Sequence, residues 1–559
     1  MKKLRWQLLI ILLTGLVIGV LLLLEQPGTN LLLPQPASGG TYTEAMVGQM
    51  QRLNPLLAYG NQADRDINRL LYSSLFTTDS RGLPQGDLVD KWGLSEDGKI
   101  YNMELKSGAK WHDGQPLTPE DVVFTIDLMR NGGDVVPQDI KDFWENVEVI
   151  ALGEKNLQFI LPEPFAPFLD YLNFGILPKH LLNGGSIEVI KESPINLQPV
   201  GSGPFKFKTL LTENGAIKGI TLTANEDYYD DSPYIQQINI KYFPDEASAL
   251  QAYKEGTVQG VSRLSGDNLK VALSEPSLLT YSGRLPMMSM ILLNLNNAEV
   301  PFFQEEAIRK ALLQGLDRQR IINTILKGQA IIANGPIFPG TWAYYDGIQP
   351  VSYSPEMAKS QIIQAGYVLP AEGGTIRRKE DAEFAFTMLY PDDENHKLLA
   401  ETIQTYWESL GLRVDLEAVP YDQLINDRLA NRDYQAALVD LNLSNSPDPD
   451  PYPFWDQSQI AGGQNYSQWD NRLVSEFLEN ARVSRDLDER FRFYRNFQVV
   501  FNKELPALPL FYPVYTFGVD QAVQGVSMGP LFDISDRYAT ISEWFFATNR
   551  NRPEEQPTP

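Results

Sequence analysis

From residue 41 onward the chain alternates between stretches of period two and stretches of helical period. Tyr101, Met103 and Leu105 alternate with polar neighbours and predict a strand; Lys106 to Pro116 is turn-rich, and Thr118, Pro119 and Asp121 open a helix with a capping-box pattern. Ile235 to Phe243 predicts a second strand, after which Asp245 opens a helix that carries Ala249, Leu250 and Tyr253 and stops at Gly256. Further on, Ile308, Leu312, Leu313 and Leu316 form one helical stripe, and Asp317 caps another helix with Ile321, Ile322 and Ile325 before Gly328. Phe384 to Tyr390 reads as a strand and His396 to Leu410 as a helix ending at Gly411. Leu412 to Val419 is again a strand, with Leu412, Val414, Leu416 and Ala418 on one face. That order is a βαβ unit, which implies some parallel sheet and an α/β fold class.

Two segments depart from this grammar. Leu8 to Leu24 is apolar apart from Thr14, Gly15 and Gly19; with Trp6 and Gln7 it spans about 28 Å as a helix, close to the roughly 30 Å hydrocarbon layer of a membrane. Lys2, Lys3 and Arg5 would stay in the cytoplasm, so everything beyond a Pro/Gly/Ser-rich linker, 27–40, is expected to be extracytoplasmic. Residues 1–26 are therefore read as a signal peptide or an uncleaved membrane anchor, and the lack of a small-x-small cleavage site favours the anchor. At the other end, 548–559 is polar and proline-bearing and is expected to be disordered.

Composition narrows the function. A chain of 559 residues exceeds one compact core and suggests several domains. Lys plus Arg number 47 against 71 Asp plus Glu, a formal charge of −24 that repels phosphate backbones, so nucleic acid is not expected as a partner. With no cysteine, there are no disulfides, no thiolate nucleophiles or metal sites, and no residue for lipoprotein acylation. The chain lacks GxSxG, GxxxxGK[ST], HExxH and GxGxxG patterns, and its three histidines, His112, His180 and His396, are too few for a histidine-rich metal site. A hydrolase would have to use carboxylates such as Asp440, Asp448 and Asp450, whose proximity is expected by chance in so acidic a chain. His112, in a Trp-His-Asp-Gly turn, reads as structural. No cofactor is implied.

Several stretches then carry a resemblance. "LPQGDLVDKWGLSEDGKIYNMELKSGAKWHDGQPLTPEDVVFTI" (83–126), "PVGSGPFKF" (199–207), "NEDYYDDSPYIQQINIKYFPDEASALQAYKEGTVQ" (225–259), "EEAIRKALLQGLDRQRIINTILKGQA" (305–330), "YSPEMAKSQIIQAGY" (353–367) and "RFRFYRNFQVVFNKELPALPLF" (490–511) follow one another in the chain. Together they resemble the extracytoplasmic solute-binding proteins of ABC transporters, family 5, which bind dipeptides, oligopeptides or nickel. The resemblance covers about 45–530. It implies a two-lobed periplasmic-binding-protein-like fold (type II, cluster C) with an additional small inserted domain, in which a solute in the cleft draws the lobes together by a hinge motion. Mapped here, lobe I would combine 41–86, 200–298 and 512–547, the inserted domain would be 87–199, and lobe II would be 299–511. The hinge crossings would fall near Leu293 to Asn297 and Leu508 to Tyr515.

The resemblance also implies ligand contacts. Tyr59, Gly60 and Asn61 match the loop that runs beside a bound peptide, with backbone groups doing much of the pairing. His396 matches a histidine that helps receive a peptide carboxylate. The aspartate that holds the peptide amino terminus falls here on Ser444 or Asn445 in "VDLNLSNSPDPDPYPFW", and neither residue supplies a negative charge. Trp342, Tyr344 and Trp455 are candidate apolar walls, and with Asn442 and Asn445 they also suit an oligosaccharide. The expected molecule is a monomeric, non-enzymatic receptor for a short peptide or related polar oligomer. It would be anchored to the membrane through its N-terminal helix and would deliver its ligand to an ABC permease. An oligosaccharide receptor and a transporter-independent sensing protein are the alternatives, and a carboxylate hydrolase is the last.

Overall fold

The computed structural model describes residues 36–182, 185–443 and 448–547. The run Leu8 to Leu24, the linker up to residue 35, Ser444, Asn445 and the tail 548–559 lie outside the described residues. Among the described residues no helix is long and apolar enough to cross a membrane. Each element read above from periodicity is present, its ends shifted by one or two residues, and the caps do what their chemistry suggests. Asp245 accepts from Ser248 N at 2.7 Å, Asp317 from Arg320 N at 2.9 Å, and Thr118 with Asp121 forms a full capping box.

The chain opens with β1 (Thr41–Val47) and α1 (Gln62–Leu71). Residues 89–160 then build a four-stranded antiparallel sheet, in spatial order Val89–Leu94, Ile100–Leu105, Asn156–Ile160 and Glu148–Leu152, together with α2 (Pro119–Arg130) and α3 (Gln138–Glu145). Phe205–Glu213, Ala216–Ala224 and Gln237–Phe243 bring the chain back beside β1, which the last of them pairs in parallel. After this, β2 (Leu278–Arg284) runs through Leu285 and Pro286 directly into β3 (Met287–Leu293). The expected βαβ unit is β4 (Ala385–Pro391), α4 (Glu394–Glu408) and β5 (Arg413–Val419), whose strands pair in parallel from Ala385 opposite Arg413 to Pro391 opposite Val419. The apolar face of β5 is shorter than its sequence pattern: Leu412 and Val414 are buried, but Ala418 is exposed. Next come β6 (Ala436–Asn442), α5 (Arg472–Val483), α6 (Leu487–Glu504) and β7 (Ala507–Asp520).

Apart from the four-stranded sheet, these strands together with Gly260–Val261 and Ala330–Ile332 form one mixed sheet of twelve, and β7 joins its two halves. From Ala507 to Phe511 it is antiparallel to β3, and from Val514 to Asp520 it is antiparallel to β2. The change of partner occurs opposite Arg284 to Ser289, where β2 becomes β3. Around β3 the side chains alternate as a strand requires: Met288, Met290 and Leu292 pack with Trp455, Trp469 and Phe501, while Ile291 and Leu293 pack with Leu312, Phe386 and Trp407. Helices therefore cover both faces of this half. In the other half, one continuous apolar core runs from Tyr42, Ile67 and Leu70 to Trp111, Trp144 and Phe159 of the four-stranded sheet.

Two polar devices fix that half. Gly201 and Gly203 are glycine because of close approach: a Cβ on Gly201 would lie 1.8 Å from the carbonyl oxygen of Leu71, and one on Gly203 2.7 Å from that of Leu70. His112 clamps the same crossing, accepting at Nδ1 from Gly201 N (3.1 Å) and donating from Nε2 to Gly203 O (3.1 Å), a pattern that requires the neutral ring. The second device is a fully buried ion cluster. Arg537 donates to Glu44 at 2.8 Å and pairs with Asp66 at 2.7 Å, while Tyr42 and Tyr538 donate to Glu44 at 2.8 and 2.7 Å. Burial, opposed by Arg537, still pushes the Asp66 carboxyl up to about 6.

Two outcomes test these devices. Replacing Arg537 by Met leaves two buried acids without their cation, and urea denaturation at pH 7 is expected to show a loss of roughly 3–5 kcal/mol. For His112, burial lowers the pKa from 6.5 to about 4, so between those values the unfolded chain binds the extra proton. The ring's contribution is complete above pH 6.5 and is lost as the pH falls through about 4; relative to a His112→Gln variant, the wild type is expected to lose about 3 kcal/mol over that window. Parallel pH profiles of the two proteins would contradict this.

Candidate functional site

The loop before α1 is tied down by side chains that the helix itself supplies. Asn61 caps α1, accepting from Ala63 N (3.0 Å) and Asp64 N (3.4 Å), and its amide donates to Gln49 O at 3.0 Å. Asp64 accepts from Gln51 N (2.7 Å) and Arg52 N (3.0 Å). The two tethered segments wall an open cavity of about 550 Å³, with Gly48, Gln49, Gly60 and Asn61 on its surface.

A second cavity, of about 400 Å³, lies between α1, α3, the turn at 171–175 and the segment 532–536. Tyr59 belongs to this one. Arg65 and Asn68 reach it from α1, Asp139 and Trp144 from α3, and Tyr171 and Phe174 from the turn. Its cations are already matched, Arg65 Nε with Asp533 at 2.9 Å and Arg69 with Asp536 at 3.8 Å. Burial, and after it nearby carboxylates that include Asp139, holds the phenols of Tyr59 and Tyr171 well above their ordinary range, so both remain protonated.

The other half of the sheet contributes a polar chain at the ends of β3 and β6. Ser289 and Asp440 face each other in register, and the serine hydroxyl donates to Asp440. His396, in the first turn of α4, places Nε2 3.2 Å from Asp440 and Nδ1 2.6 Å from Asp393. Burial works against the imidazolium, but Asp440 and then Asp393 overcome it and raise the pKa above its ordinary value. Both ring N–H groups are thus engaged. Asp440 also lines a small apolar pocket of about 50 Å³ with Trp455, which is itself buried against Phe501 at 4.9 Å and Trp469 at 6.3 Å.

Several contacts bridge the two halves. Trp342 N donates to Arg81 O at 2.9 Å, Arg485 donates to Ser95 O at 3.1 Å, and the Arg482 guanidinium lies 5.1 Å from the Phe165 ring centre. Beneath them Asp448 binds Arg490 at 2.5 Å and Asp450 binds Arg482 at 3.1 Å. Asp170 is buried beside this cluster, and burial, then Asp448, drives its carboxyl well above the usual range against the pull of Arg490. The three acids singled out as a catalytic possibility are therefore spread over separate partners: Asp440 with His396, Asp448 with Arg490 and Asp450 with Arg482.

Among the candidate contacts, Gly60 and Asn61 share the open cavity and Tyr59 lines the neighbouring one, whereas His396 and Trp455 meet through Asp440 on the other half. Trp342 packs on Tyr494 at 5.6 Å under the Arg490 guanidinium, and Tyr344 is half-buried nearby. Asn442 is exposed at the end of β6, and Ser444 and Asn445 follow outside the described residues. Asn68, Asp139 and Tyr171 had no signal in motif or resemblance.

The His396 chain is open to measurement. With Asp440→Asn the His396 ring is expected to titrate at lower pH by NMR. Because a raised histidine stabilises the fold below 6.5 and loses that contribution as the pH rises through its folded value, the stability difference from wild type is expected to be largest at acidic pH and to shrink on the alkaline side. An unmoved titration would remove Asp440 from the account.

Comparison with known proteins places this geometry. Residues 84–463 match the model for bacterial extracellular solute-binding proteins, family 5 (middle region). The oligopeptide-binding protein AppA of Bacillus subtilis is 26% identical over 530 residues, covering 92% of this chain and 93% of that protein. The dipeptide-binding protein of Escherichia coli is 25% identical over 489 residues, 83% and 86% of the two chains. The solved structure of AppA with a nonapeptide superposes with a TM-score of 0.66 over 92% of this chain and all of that one; HbpA2 from Haemophilus parasuis, 21% identical, shares the fold with a TM-score of 0.78 over 89% and 99%. With its mixed α/β sheet and a family match across most of its length, this chain belongs to family 5 of the bacterial extracellular solute-binding proteins.

Proposed function

We propose that the protein is an extracytoplasmic receptor that captures a short peptide between two lobes and presents it to an ABC import permease without altering it. The observation that carries this reading is the end-to-end likeness to AppA, a protein whose solved structure holds a nonapeptide. In this reading lobe I combines 41–86, 200–286 and 512–547, 87–199 is an insertion that shares its core with lobe I, and lobe II is 287–511. The hinge in this reading lies where β7 changes partner, Phe511 to Val514 opposite Arg284 to Ser289; this keeps the expected crossing at Leu508 to Tyr515 but moves the other from Leu293–Asn297 to before β3, so that 287–298 go with lobe II. Two adjacent strand crossings resist shear yet leave a few backbone dihedrals free to bend, which suits closure about one axis.

Within the lobes, Tyr59, Gly60 and Asn61 border the ligand from one side. Trp342, Tyr344, Trp455, Asn442, Ser444, Asn445 and the Asp440–His396 chain border it from the other. A solute touching both sides lowers the free energy of the closed form alone, and that differential affinity is what closes the clamp. The apolar run Leu8 to Leu24 is in this reading the tether that keeps the body at the outer face of the membrane.

The test is thermal unfolding of residues 36–547 with a panel of two- to five-residue peptides, together with mass spectrometry of each mixture. At a hundredfold excess over Kd a bound peptide stabilises the native state by about 2.7 kcal/mol, visible as a rise in Tm, and the peptide is expected back intact. Cleaved peptide, or no shift across the panel while sugars produce one, overturns the reading.

A further inference from the structure

The acids around the 400 Å³ cavity are not equivalent. Asp533 and Asp536 are held by Arg65 and Arg69, so both guanidinium groups there are already balanced. Asp139, on the first turn of α3, has no ion pair or hydrogen bond among the described residues, and the neighbouring Lys141 is turned to Gly133 O at 2.6 Å. The cavity therefore carries three carboxylates against two guanidinium groups, with Asp139 left over. Its charge reaches the phenols of both Tyr59 and Tyr171, which line the same space and have no hydrogen-bond partner among the described residues.

A second observation points into the cavity independently. Asn68 is 7% exposed, yet neither its amide oxygen nor its amide nitrogen has a partner among the described residues. Leaving a buried amide unpaired is costly, and an occupant with polar atoms would recover that cost. Trp144 and Phe174 complete the wall with aromatic surface, which favours a cation over an anion.

We infer that this cavity receives a primary ammonium group of the ligand, with Asp139 as its counter-ion and the Asn68 amide oxygen and the Tyr59 and Tyr171 phenol oxygens as further acceptors. An ammonium brings three N–H donors and no acceptor, which matches a wall offering a carboxylate, an amide oxygen and phenol oxygens. The inference rests on the peptide-receptor reading and deepens it by naming the group recognised. A peptide can supply that group from its amino terminus or from a lysine side chain.

The experiment titrates Ala-Ala-Ala, N-acetyl-Ala-Ala-Ala and N-acetyl-Ala-Lys-Ala calorimetrically into the wild type, Asp139→Asn and Asp139→Glu. Asp139 is exposed, so the variants are expected to keep the wild-type Tm. For whichever peptide carries the recognised ammonium, Asp139→Asn is expected to weaken binding at least about tenfold and Asp139→Glu to stay within about threefold. N-acetyl-Ala-Ala-Ala, which has no ammonium, is expected to bind wild type and Asp139→Asn alike. A loss confined to Ala-Ala-Ala assigns the amino terminus, and one confined to N-acetyl-Ala-Lys-Ala the side chain. Unchanged affinities in Asp139→Asn, or an equal loss for the neutral peptide, overturn the assignment and leave peptide binding standing. A wild type that binds none of the three overturns the peptide reading and this inference with it.

Discussion

The backbone pairing of β7 is the constraint from which the rest of the architecture follows. Fourteen residues give their first part to β3 and their last part to β2, so a single extended segment is hydrogen bonded into both halves of the molecule. Such a strand cannot slide, because a shift of one residue would turn every inward side chain outward in both halves at once. Leu508, Leu510, Tyr512 and Phe517 are all buried, on opposite faces and in different cores. The short stretch where the partner changes is itself paired with Ala330–Ile332, so no loop interrupts the strand.

Charge is treated differently at each depth of this acidic protein. At the surface, ion pairs such as those of Arg472 with Glu476 and Glu479 contribute little, since water screens them. In the first half, Arg537 is walled in with its two acids, and between the halves Arg490 and Arg482 sit among Asp448, Asp450 and Asp170. Buried charges of this kind specify one arrangement rather than add much net stability, because any displacement leaves a group without its partner.

Much of the fold could be read in the sequence because it depends on local rules. Caps at Asp245, Asp317 and Thr118 and the period-two runs of β4 and β5 reflect only neighbouring residues, and these elements are where the pattern puts them. Gly201 is glycine because of the nearness of the Leu71 carbonyl, a contact across 130 positions that no local pattern records. The site was less legible for the same reason. Tyr59 and Asn61 are only two positions apart in sequence and line different cavities, because Asn61 turns into the cap of α1. Asn68, Asp139 and Tyr171 come from three separate elements, and nothing in their immediate neighbours announces that they share a space. His396, expected to help receive a peptide carboxylate, is occupied on both nitrogens by acids, one local in sequence and one forty-four positions away.

The Arg537 cluster also constrains the order in which the molecule can be made. Glu44 and Asp66 are among the first residues of the folded body, and the guanidinium that neutralises them is separated from Glu44 by 493 positions. A chain emerging from the ribosome amino end first cannot complete this cluster until Arg537 has been made. The strand that opens the body is thus locked by one of the last of the described residues, so this half closes late rather than first.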